Sequence, residues 1–353
     1  MTPMYIEDIQ PRLQGSNDSN PIMITRVTAE QFRNYLFAIT CRPGDKDYSI
    51  LADRNRKYWD GRLQSVCALY TDVAILSRFF GMVDLEAWAI NALQFMFTDH
   101  LDKFTKSASR KWSTDSLLRL RSLSRDTSLE SPVVSFIQYF ICSNLEDMAD
   151  PFCPDDPCNV YACIDLFNIV KKSNVDPSLL GCTFLKLLSL GRRSWAWTQH
   201  TNRKDRAILH IAQVRFIDTA AELKSLRWLR TTPTCRELTE DYWCATCKAK
   251  VMAAWNRCFR DLGKGLGSDL PLKDVSLLSQ VGKNRWIFHE ECTSGLAQCC
   301  GFRGWCFLPL PDGMLNKIDS QIKSIYEEIA TVYKEIAGYD KSKAICLEST
   351  DPL

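Results

Sequence analysis

Apolar residues recur at helical spacing through most of the chain. Val66, Leu69, Tyr70, Val73, Leu76 and Phe80 predict a helix over Ser65–Phe80, with Gly81 as its stop. Asp84 is placed to cap the next helix, Asp84–Phe97, whose buried face reads Leu85, Trp88, Ala89, Leu93 and Met96. Upstream, Gly15-Ser-Asn-Asp-Ser-Asn-Pro21 is dense in turn formers, and Ile22-Met-Ile24 with Val27 reads as a short strand. Thr28 and Gln31 match a capping box, and Val27 with Phe32 a hydrophobic staple. The helix they open carries Phe32, Leu36 and Ile39 on one face.

Beyond a polar stretch at Asp99–Arg110 the pattern stays helical. Ser113 leads into Leu117–Leu123, and Pro132 opens Val133–Cys142. Helices are expected at Asn159–Lys172, Pro177–Leu190 and Ala207–Arg230, the last with Ile208, Ile211, Val214, Ile217, Ala221 and Leu226 inward. No fixed repeat is evident, so antiparallel helices with short links are the economical architecture. Near the C-terminus, Leu315, Ile318, Ile322, Ile325, Ile329, Val332 and Ile336 alternate at spacings of three and four. That seam could pair with a second copy or fold back on its own domain. Gly338 ends the helix, and 339–353 reads as a tail. The resulting division is 1–98, a helical domain at 99–230, a cysteine-rich region at 231–310, and an amphipathic helix at 311–338.

Composition narrows the class. A hydrophobic fraction of 46% and a charged fraction of 24% are ordinary for a folded protein. A net charge of +2 gives no global electrostatic case for nucleic acid or an anionic membrane. No apolar run reaches the ~20 residues that span a bilayer, and the N-terminus shows no secretory pattern. The 16 cysteines are scattered, and several, such as Cys67, Cys142 and Cys182, fall on apolar helix faces. They are therefore read as reduced thiols of an intracellular protein, in cytoplasm or nucleus, with an extracellular disulfide framework as the rival reading.

Chemistry-bearing patterns are few. Cys244-Ala-Thr-Cys247 and His289-Glu-Glu-Cys292 are two closely spaced pairs, the way a structural zinc site is built. Cys235, Cys258, Cys299, Cys300 and Cys306 offer substitutes, and buried thiols are the plainer alternative. Cys153, Cys158 and Cys163 fit neither a zinc pair nor one helix face. His289-Glu-Glu291 lacks the downstream cysteine pair of a zinc deaminase. Gly263-Lys-Gly-Leu-Gly267 follows a helical pattern and lacks the Lys-Ser/Thr ending of a phosphate loop. His100, His200, His210 and His289 have no nucleophile or carboxylate partner by local motif, so no enzyme is expected and no catalytic residue is named.

Two stretches mix cations with aromatics. One is Arg54, Arg56, Lys57, Tyr58 and Trp59. The other is Arg192, Arg193, Arg203, Lys204 and Arg206 around Trp195 and Trp197, the better local candidate for an acidic or nucleic-acid partner. Solvated junctions with an aromatic anchor explain both more plainly. A zinc-stabilised scaffold or nucleic-acid regulator built on Arg192–Arg206 and Cys244–Cys306 is the alternative function.

Gly15-Ser-Asn-Asp18-Ser-Asn-Pro-Ile22, Val27-Thr-Ala-Glu-Gln-Phe32 and Trp88-Ala-Ile90, in that order, resemble the second half of a BTB/POZ domain of the mushroom-type fungal kind. The resemblance covers roughly residues 4–97, and the strand pair and helical hairpin that open the family domain have no counterpart before the phrase. It implies a mainly α chain: a partial α/β BTB/POZ-like module, then a helical domain and a cysteine-rich region. It implies protein–protein interaction through the helices around Thr28–Ile39 and Ser65–Phe80, with Phe32, Tyr35 and Phe37 as candidate contacts. BTB proteins bring substrates to cullin-based ubiquitin ligases or serve as transcriptional or structural adaptors. A cullin, or self-association through this module or the C-terminal helix, is thus the implied partner.

Overall fold

The computed structural model describes residues 27–45, 48, 51, 62–99, 112–125, 127–145, 157–173, 176–230, 245–262, 271–297 and 312–338. The protein is mainly α-helical, and no strand occurs among the described residues. The strand expected at Ile22–Ile24 lies outside them. The chain forms two compact units, Met1–Met96 and Phe97–Leu353.

In the first unit, α1 spans Ala29–Thr40. Its capping box is formed: the Gln31 amide donates to Thr28 Oγ1 at 3.2 Å, and the Thr28 amide donates to Gln31 Oε1 at 2.8 Å. The buried face is not the aliphatic one. Gln31 and Tyr35 turn inward, whereas Leu36 and Ile39 are exposed. Asn34 shares the inward face and donates to the buried carboxylate of Asp72 on α2, Leu63–Phe79. A polar tie and a tyrosine thus select the face, against the aliphatic stripe.

Helix α2 is buried nearly all round, as expected of a central helix. It ends in a Schellman turn: Met82 N–H donates to Ser77 O at 2.8 Å, Gly81 N–H to Arg78 O, and Gly81 takes φ +70°. This turn leads directly into α3, Val83–Asp99. Asp84 is therefore not the cap of α3 but lies in its first turn, where its charge complements the helix dipole.

In the second unit, α4 (Thr114–Ser124) is capped by Ser113, and α5 (Glu130–Asn144) holds Pro132 in its first turn, where no intrahelical N–H is lost. Next come α6 (Pro157–Ser173) and α7 (Pro177–Leu190). Asp176 caps α7 and Gly191, φ +74°, ends it. Helix α8 (Arg203–Arg215) is followed by short turns up to Arg230, so the long helix expected at Ala207–Arg230 is broken. Its inward residues are Ile208, Leu209, Ala212 and Phe216; Ile211, Val214 and Ile217 face water. Phe216 and Ala212 are fully buried, and the α-helix gives way to a 3₁₀ turn at Phe216.

Helices α9 (Ala245–Trp255), α10 (Pro271–Leu278), α11 (Val281–Ala297) and α12 (Asp312–Ile336) complete the unit. Of the two arrangements open to the C-terminal seam, the structure takes the folded-back one. Ile318, Ile322, Ile325 and Ile329 are buried, and α12 lies on α7. Gly181 permits that contact, since a Cβ there would come within 1.8 Å of Tyr326 O. Buried ion pairs fasten the helices: Arg121 to Asp176, Lys171 to Asp205, and Arg285 to Asp319.

Candidate interaction surface

The end of the first unit where α2 turns into α3 is apolar and open to water. Phe79, Phe80, Met82 and Val83 are 54%, 42%, 42% and 71% exposed, and Leu36 and Ile39 of α1 are exposed as well. Phe79, Phe80, Met82 and Val83 alone leave on the order of 400 Å² of apolar surface in solvent, within the range of the largest patch on a monomer, which is often functional. The surface is held in place from beneath. Tyr35 stacks on Phe80 with centroids 5.3 Å apart, its hydroxyl donates to Met82 Sδ, and Phe79 meets Phe80 edge-on. Arg78 and Glu86 close a salt bridge at 2.8 Å between α2 and α3.

Of the three aromatics expected to make contacts, Tyr35 is buried and acts as the support. Phe32, 6.3 Å from Tyr35, and Phe37 are half-buried. Reasoning from the resembled helix missed Phe79, Phe80, Met82 and Val83. The available signal was four apolar residues packed around a helix-stopping glycine, a place where a helix cannot bury all of them.

The cysteine and histidine candidates lie in the second unit. Cys244, Cys235, Cys299, Cys300 and Cys306 fall outside the described residues, as does Gly263–Gly267. Cys247 and Cys292 are buried. No three His, Cys, Asp or Glu side chains among the described residues are gathered as a metal site. His289 and Cys292, though three residues apart, have different neighbours. His289 lies in the field of Arg285 and Asp319, and burial holds its pKa down to about 4. Cys292 lies in the field of Cys258, Glu291 and Arg257, and burial pushes its thiol up to about 12.

The other buried thiols among the described residues behave as core. Burial pushes Cys67 and Cys258 up to about 12 and raises Cys163 and Cys182 strongly. A thiol held protonated in this way is inert toward thiolate chemistry. No disulfide joins two described cysteines.

The first basic-aromatic stretch, Arg54–Trp59, lies outside the described residues. The second divides into two parts. Trp197 is core, its indole N–H donating to Leu187 O at 2.6 Å, and Arg206 is tied to the backbone oxygens of Thr201 and Trp197. Arg192, Arg193, Arg203 and Lys204 are exposed. His210 is exposed rather than packed inward, its ring 5.2 Å from Trp197.

No described helix is long and apolar enough to cross a membrane. No protein-family model, curated protein or solved structure matches the chain.

Proposed function

We propose that this protein is a non-catalytic protein–protein adaptor that engages its partner through the apolar end of α1, α2 and α3. The observation that carries the reading is the exposed group Phe79, Phe80, Met82 and Val83, braced by the buried Tyr35. Large aromatic and Met side chains presented on a rigid turn are the composition of binding hot spots. The BTB/POZ-like reading of the first unit belongs to this proposal. It rests on the ordered sequence phrases and on the formed capping box at Thr28. Under it, the partner is a cullin of a ubiquitin ligase or a component of a transcriptional scaffold.

The test compares partners recovered with the tagged wild-type chain and with a Phe79→Asp/Val83→Asp variant, by quantitative mass spectrometry. Both positions are exposed, so the variant should melt like wild type. A defined set lost from the variant supports the surface. Within that set, a cullin argues for the ligase adaptor and chromatin factors for the scaffold. An identical partner set from a folded variant rejects the surface.

A further inference from the structure

The second unit carries a surface of different chemistry, independent of the apolar end of the first. The fold brings Tyr161 of α6 to the turn between α7 and α8. Its ring lies 5.8 Å from Trp195 and 5.0 Å from His200, and Trp195 and His200 are 4.1 Å apart. Tyr161 is 40% exposed, so part of its ring is open to solvent. The three rings are flanked in sequence by exposed cations. Arg192 and Arg193 occupy the tip of the turn closed by Ser194 N–H donating to Gly191 O, three residues or fewer before Trp195. Arg203 and Lys204 open α8 just after His200. None of the four has an ion-pair partner among the described residues. The nearby carboxylate of Asp205 is buried and held by Lys171 at 2.6 Å, so it does not neutralise them.

Two further details bear on a ligand. Residues Ala196–His200 form a π-helical turn, a form of backbone often retained at functional sites. His200 Nε2 is shielded from water and has no hydrogen-bond partner, which leaves a polar atom beside the ring cluster. Asp165, exposed one turn along α6 from Tyr161, sets a negative edge on that side.

We propose that this surface binds single-stranded nucleic acid, with the exposed face of Tyr161 stacking on a base and Arg192, Arg193, Arg203 and Lys204 meeting the phosphates. Free cations alone would suit any polyanion. An accessible aromatic ring among them is the feature that an acidic polypeptide does not need and a base does. A duplex hides its base faces in the stack, so the fit is to an unpaired strand.

The experiment is fluorescence anisotropy of a fluorescein-labelled 20-nucleotide oligo(dT) with the full chain, between 50 and 200 mM salt, beside labelled polyglutamate. Contacts to three or four phosphates give a log–log salt slope of about −2 to −3. Arg192→Ala/Arg193→Ala should flatten that slope by about 1.4. Tyr161→Ala should weaken binding about tenfold and leave the slope unchanged, and Tyr161→Phe should restore it. Absence of oligo(dT) binding at 50 mM salt, with melting unchanged, overturns the proposal. So does polyglutamate binding as tightly as oligo(dT) with no response to Tyr161→Ala, which would make the surface a site for an acidic polypeptide.

Discussion

Gly181→Ala sets two opposed effects against each other, and the contact between α7 and α12 decides which wins. Alanine in a helix interior is favoured over glycine by about 1 kcal/mol, so in open space the substitution stabilises. Here the new Cβ would lie 1.8 Å from Tyr326 O, 2.6 Å from its carbonyl carbon and 2.9 Å from its Cα. All three atoms are backbone, so no side chain can swing aside. Restoring ordinary contact requires the helices to part by roughly 1.5 Å at this point. A gap of about 0.5–1 Å already forfeits a quarter to a half of the dispersion contact across it, so a wider one costs at least a half, felt by the buried α12 residues around Tyr326: Ile322, Ile325 and Ile329. With roughly 2 kcal/mol of burial at stake per large apolar side chain, the loss is about 4 kcal/mol. Set against the helix-propensity gain, the net expectation is destabilisation by about 3 kcal/mol, the upper end of the usual range for overpacking. Urea unfolding followed by circular dichroism reads it as a lower midpoint. A variant as stable as wild type, or more stable, would show that α12 does not approach α7 at Gly181, and the account of the C-terminal seam would fail with it.

Three further outcomes follow from the same structure. Thr28→Ala removes the hydroxyl that accepts from Gln31 N–H and should destabilise the start of α1 by about 1 kcal/mol, seen as faster amide exchange over the first turn; unchanged protection refutes the capping role. Asp319→Leu leaves the Arg285 guanidinium, only 4% exposed, without its carboxylate and should cost about 3 kcal/mol in urea unfolding, whereas Arg285→Met/Asp319→Leu should recover most of it; equal losses would mean the pair is not coupled. Burial, then the Arg285 charge, holds His289 at about 4 against an ordinary 6.5, with Asp319 opposing. The unfolded chain thus takes up the proton first, so this contribution is complete above about pH 6.5 and falls as pH drops toward 4. The loss is roughly 2 kcal/mol at pH 5, and His289→Gln should flatten the pH dependence of stability in that window; an unchanged slope would contradict the buried imidazole.

Local punctuation was the most legible part of the sequence. Pro177–Leu190 has the predicted bounds because Asp176-Pro177 and Gly191 fix each end within one turn of backbone. The capping box at Thr28 likewise needs only residues three apart. What periodicity could not supply was the choice between competing faces. On α1, Tyr35 and the Asn34–Asp72 hydrogen bond outweighed Phe32, Leu36 and Ile39. On α8, Phe216 and Ala212 outweighed Ile211, Val214 and Ile217. For α1 the deciding partner, Asp72, lies on another helix far away in sequence, and α8 packs on α12 and α7, which its own residues do not reveal. The same holds for Tyr161, which nothing local connects with Trp195 and His200.

Two aliphatic stripes, on α1 and at α8, lie in water, and they differ in what they imply. Positions where a local rule is broken are where function is expected, because a fold selected for stability alone would cover them. Leu36 and Ile39 belong to the same unit as Phe79, Phe80, Met82 and Val83, where two exposed aromatic rings are braced by the buried Tyr35. Ile211, Val214 and Ile217 expose only roughly 300 Å², the size of an ordinary patch on a monomer, with no exposed aromatic among them. The first stripe is part of a braced surface with hot-spot composition; the second is an isolated face. Aromatic content and the bracing by Tyr35, not the mere exposure of aliphatic residues, are why the adaptor reading rests on α1, α2 and α3 and not on α8.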